Sequence, residues 1–102
     1  MKTVKIIKDY VDHIDEEIEG AKDYAEKYVE HKVKEDMQTA SRYKEMANDE
    51  LKHAMYVHEM AVKEIDKLSK VYTPPAEMME KWKKAHKEYV ERVAWVKQML
   101  AM

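Results

Sequence analysis

The chain has 102 residues, 39% of them charged and 45% hydrophobic, with a single Gly, two Pro and neither Phe nor Cys. That length holds one domain at most, and the composition describes long helices with wet outer faces rather than a turn-rich β protein. A net charge of −2, with Lys and Glu interspersed, argues against a nucleic-acid surface, and the lack of cysteine excludes disulfides, thiolate metal sites and thiol catalysis.

The opening stretch, "MKTVKIIKDYVDHID", has no apolar run of signal-peptide length. The apolar positions that follow are Val4, Ile7, Val11, Ile14, Ile18, Ala21, Ala25 and Tyr28, at alternating spacings of three and four. This is the period of a helix packed against a near-antiparallel neighbour, and it predicts a first helix over about 3–33. Gly20 lies one place off the stripe, where it should cost about 1 kcal/mol relative to Ala. The pattern fades at "HKVKEDM", which reads as a turn with Asp36 as the next N-cap.

A second stripe runs Tyr43, Met46/Ala47, Glu50, Ala54, Val57, Ala61, Ile65 and Leu68, and predicts a helix over about 36–71. At "SKVYTPP", Thr73 is expected to cap and Pro74 to take the first helical position. Met79, Trp82, His86, Tyr89, Val93, Val96 and Leu100 then predict a third helix over about 74–101, with Trp95 nearly opposite its main stripe. An exposed Trp suits an oligomer contact. The nine Met residues suit adaptable packing better than metal ligation.

The fold expected is all-α: one domain over 1–102, a long antiparallel hairpin plus a third helix. Narrow stripes on helices of about 45 Å bury little in a lone hairpin; three helices can make a small bundle, but the stronger solution, and the one expected, is a homodimer or higher homo-oligomer completing a four-helix core. No segment is apolar enough to span a bilayer, so the chain is expected to be cytoplasmic, with neither membrane nor nucleic-acid partners.

One stretch, "DELKH" at 49–53, departs from the apolar rule. It sets Glu50 near the centre of the second stripe and His53 one turn on, along the same side. Glu-x-x-His is how one helix offers a carboxylate and an imidazole to one metal ion, and only His53 among the five histidines has Glu three residues before it. On the first helix Glu17 flanks the stripe, in a heptad column with Tyr10, Tyr24 and His31. If the hairpin pivots at 33–35, Glu17 and Glu50 stand level across it.

Glu17, Tyr24 and the Glu50-Leu51-Lys52-His53 run together resemble the first half of a di-iron carboxylate protein of the ferritin/rubrerythrin superfamily. The resemblance covers roughly residues 8–68. It implies a four-helix bundle in which Glu17 is the lone carboxylate ligand, Glu50 bridges, His53 completes the set and Tyr24 supports a carboxylate from outside the ligand set. It further implies iron, or alternatively manganese, with zinc as an adventitious occupant, and ferroxidase or peroxide-linked oxidoreductase chemistry. Position 83 is Lys, so His86 forms no second Glu-x-x-His, and one chain supplies half a centre. Two copies would build the whole, as in half-ferritins such as encapsulated ferritins. A fused rubredoxin-like donor is ruled out by the missing cysteines, and no capsid-targeting peptide is expected after "VKQMLAM".

Plainer readings stand beside this one. Glu50 can be a core acid paired with a base or with His53, Glu17 a snorkelling surface acid, and Tyr24 and Tyr43 packing residues. His58 and Glu64 also approach the second stripe, as satisfied core polar groups or further ligands, whereas His13 and His31 are expected in solvent. On these readings the chain is a non-enzymatic helical oligomerisation or adaptor module.

Overall fold

A computed structural model describes residues 2–71 and 73–102, with side chains from Lys5 onward, Tyr72 excepted. The described residues form three helices, α1 (Lys2–Val33), α2 (Met37–Ser69) and α3 (Ala76–Leu100), in a rod of 55 × 17 × 17 Å. No strand occurs among the described residues, and no helix there is long and apolar enough to cross a membrane. The expected Val4 contact lies outside the described side chains.

The bend between α1 and α2 is tight. Asp36 N–H donates to His31 O at 3.0 Å and Glu35 N–H to Lys32 O at 3.0 Å, the paired bonds that close a helix on a left-handed residue. That residue is Glu35, with φ 63°, a position normally given to Gly. Asp36 then caps α2 as expected, its carboxylate accepting from Thr39 N–H at 3.2 Å.

The second connection differs from expectation. α2 stops at Ser69, and α3 begins at Ala76. Pro75, not Thr73, holds the N-cap position, with φ −57° and ψ 139°, and among the described residues no side-chain cap bond closes the first turn. Two consecutive prolines explain the shift, since Pro75 drives Pro74 into the extended region and delays the first helical residue.

Along the rod the core forms three apolar layers. Ile7, Ile65 and Met78 pack at one end, Ile14, Ile18, Ala54 and Val57 in the middle, and Ala21, Ala25, Leu51, Val96 and Leu100 toward the bend. Ala21, Ala25, Ala47, Ala54 and Ala61 are fully buried, which lets α1 and α2 approach closely over most of their length. The second stripe needs one correction. Leu51, not Glu50, is the buried residue of its turn, and the Glu50 side chain keeps 26% exposure at the edge of the interface.

α3 packs chiefly along α1. Arg92 anchors it by bonding Asp15 at 2.9 Å and Glu19 at 2.8 Å. Trp95 lies outside the core, 43% exposed, with Lys22 Nζ 5.4 Å from its ring centre over a cavity of about 220 Å³. Three helices of one chain thus share a core, and α3 leaves one face of the hairpin uncovered. Residues two apart on a helix differ by about 200°, so Glu17 stands across α1 from both Asp15 and Glu19, the residues that α3 grips.

Candidate metal centre

Glu17, Glu50 and His53 meet on that uncovered face. Each offers one donor atom, and the three atoms lie within 4.8 Å of one another. His53 Nδ1 is 3.5 Å from Glu17 Oε2 and 3.8 Å from Glu50 Oε1. Two donors each about 2.1 Å from one ion stand roughly 3–4 Å apart, so these separations suit one coordination shell. Exposure rises outward from 19% for the Glu17 side chain to 52% for His53.

Local sequence explains the arrangement. Glu17 follows Ile14 by three residues and precedes Ala21 by four, so it rides the edge of a buried stripe. Glu50 occupies the same edge on α2, one residue before buried Leu51, and the level pairing follows from a bend at 34–36. Gly20 completes the niche. A Cβ built there would come within 3.1 Å of Glu50 Oε2, so any larger residue would press the carboxylate aside by a few tenths of an ångström.

The two carboxyls hinder each other's ionisation. Glu50 is pushed up to about 7, first by its hydrogen bond with Glu17, then by burial and the Glu17 charge, with His53 pulling the other way. Glu17 falls below its ordinary value because it accepts that same bond, with help from His13 and His53 against burial. The pair therefore keeps a shared proton up to about pH 7, in a place that a cation can take.

Other expected neighbours behave differently. Tyr24 has no hydrogen bond to either carboxylate among the described residues; its ring lies 6.1 Å from that of Tyr43. His31 is not a free surface residue, since it stacks on Tyr43 at 5.4 Å and its side chain is only 23% exposed. His13 is half-exposed but not simply solvated, with Nε2 3.2 Å from Glu17 Oε1. His58 is a satisfied polar group: its Nε2 lies 2.9 Å from His86 Nδ1, and its ring stacks on Tyr89 at 4.6 Å. Glu64 is half-buried and belongs to no ligand group among the described residues.

Gly20 and His13 were the site residues that periodicity alone did not single out. The signal for both was present as i,i+3 and i,i+4 offsets from Glu17, on the same side of α1.

No protein-family model, curated protein or solved structure matches this chain.

Proposed function

We propose that the chain is a ferritin-like metal-binding protein in which Glu17, Glu50 and His53 hold an iron or manganese ion. Two copies would face each other across the uncovered side of the α1–α2 hairpin and so complete a di-metal carboxylate centre. The observation that carries this reading is the three-residue donor group itself, gathered from two helices on the one face that α3 does not occupy. Carboxylate oxygens and an imidazole nitrogen suit Fe(II), Fe(III) and Mn(II), and they also accept zinc.

Within the site, Glu50 would release its shared proton to make room for a cation, and Glu17 would supply the standing negative charge. His53, the most exposed of the three, would bind through its neutral form. Gly20 leaves room beside the Glu50 carboxylate. Once bound, iron would supply one-electron redox chemistry with O₂ or peroxide as oxidant, a ferroxidase-type activity in a cytoplasmic protein.

Anaerobic loading with Fe(II), followed by air, tests this. The expected result is about one tightly held iron per chain, oxidised in air, in a particle with the mass of at least a dimer. A metal-free monomer, or a Glu50→Ala variant that binds and oxidises iron like the parent, overturns it. A second reading, a non-enzymatic assembly module, draws on Met46 and Met60, which are 40% and 48% exposed on the same side of α2. A metal-free dimer would favour that module.

A further inference from the structure

We infer that His13 is a metal ligand, and that with Glu17 Oε1 it forms a second, flanking cation site on each chain. The inference rests on the reading of Glu17, Glu50 and His53 as the primary centre and extends it outward along α1.

The two oxygens of Glu17 face different imidazoles. Oε2 looks toward His53 Nδ1, at 3.5 Å, and Oε1 toward His13 Nε2, at 3.2 Å. The second separation is shorter than either of His53's and equals that of two adjacent donors about 2.1 Å from one ion. A carboxylate used through both oxygens bridges ions roughly 3.5–4 Å apart, so Glu17 can serve the primary ion with Oε2 and a flanking one with Oε1.

The surroundings suit a partly hydrated cation. The His13 side chain is 50% exposed, so water can fill the remaining positions of an ion held beside it. Asp9, one turn before His13, adds negative charge, and beyond the ring, on the side away from Glu17, lies a depression of about 280 Å³ bounded by Ile6, Asp9, Tyr10 and His13. With one nitrogen and one oxygen from the protein, this site is the weaker of the two. It would take a divalent ion content with a hydrated, mixed shell, such as Mn(II), Fe(II) or Co(II).

A histidine in this place could instead merely hold Glu17 in position by donating a hydrogen bond, and two substitutions separate the roles. His13→Gln keeps a donor but is a poor ligand; His13→Glu is a ligand without a donor. Mn(II) titrations of the full chain, with unbound ion counted by electron paramagnetic resonance, should give one tight and one weaker equivalent per chain. His13→Gln should lose the weaker equivalent, or weaken it by at least about tenfold, and keep the tight one. His13→Glu should keep both.

If His13→Gln retains both equivalents, His13 is not a ligand, whatever His13→Glu does. If the parent binds one equivalent that His53→Ala abolishes, the flanking site falls while the primary centre stands. If the parent binds none, the primary centre falls and the flanking site with it. His13 is half-exposed, and unchanged far-ultraviolet circular dichroism of the variants confirms that stoichiometry is being read on folded protein.

Discussion

Gly20 and Glu50 face each other across the hairpin, so closely that a Cβ on residue 20 would stand 3.1 Å from Glu50 Oε2. A mid-helix glycine costs about 1 kcal/mol relative to alanine, and here that cost coincides with room for a carboxylate. Gly20→Ala should therefore raise the stability of the metal-free protein by roughly 0.5–1 kcal/mol, since the Glu50 carboxylate sits at the end of a flexible side chain at the interface edge and can shift by a few tenths of an ångström. The same shift should weaken metal binding. Thermal melts and Mn(II) titration on one preparation check both signs; stronger metal binding in the variant would contradict the role given to the gap.

Glu50 also sets a pH dependence. Its pKa rises from 4.5 to about 7 on folding, so between those values the folded chain binds more protons than the unfolded one. Stability from this group is complete below pH 4.5 and is lost as pH rises through 7, while the depressed Glu17 offsets part of the loss. Glu50→Gln should match the parent near pH 5 and exceed it at pH 8 by on the order of 1 kcal/mol, after allowance for solvent at this edge site. Urea melts of metal-free protein at the two pH values measure the crossing.

His58 titrates in the opposite sense. Burial, and then His86, hold it below its ordinary pKa, so the folded chain takes up this proton less readily than the unfolded chain. Its contribution is intact above pH 6.5 and is lost as pH falls below that value. The lone hydrogen bond between His58 and His86 needs one of them as acceptor, and it joins α2 to α3 beside Trp82, whose ring stacks 5.6 Å from His58. Trp82 lies in a part of α3 well before Trp95, so in a Trp95→Phe background its fluorescence should change between pH 7 and 5. That change should vanish in His58→Gln.

Glu35 adopts φ 63° at the close of α1. A side chain in the left-handed region costs about 1–2 kcal/mol, and glycine avoids most of it. Glu35→Gly should raise the melting midpoint by about 4–8 °C if it returns 1 kcal/mol. Glu35→Val should lower it, because branching at Cβ aggravates the clash.

Ala54 is fully buried between Ile14, Ile18 and Val57. Ala54→Leu should destabilise by roughly 1–3 kcal/mol through overpacking, and it should also spread α1 from α2. The level pairing of Glu17 with Glu50 depends on that spacing, so metal affinity should fall along with the melting temperature. A variant that melts earlier yet binds metal as the parent does would uncouple the site from the alanine-lined contact.

Much of this molecule is written in its periodicity. The stripes of three and four residues gave α1 and α2 to within two residues, and Asp36 marks its own cap because a short acid side chain reaches the Thr39 amide. The meeting of Glu17, Glu50 and His53 was legible from helical offsets plus the length of the arms on either side of the bend. What periodicity hid was which flank of each stripe turns inward. Glu50 and Leu51 both fit the apolar column, and the choice between them depends on where α3 lies, which no single helix encodes. The start of α3 departs from its periodicity because paired prolines act on each other, so Thr73 falls short of the first turn. The His58–His86 contact joins residues on different helices, beyond the reach of any local spacing.

Helix α1 has two working sides that do not meet. Through Asp15 and Glu19 it holds α3 by the Arg92 fork, and through His13, Glu17 and Gly20 it presents its polar cluster some 160° around the axis. Changes to the chemistry of one side therefore leave the anchorage of the other untouched. Evolution, or an engineer, is free to exchange the donor set for a different one and still inherit the same scaffold.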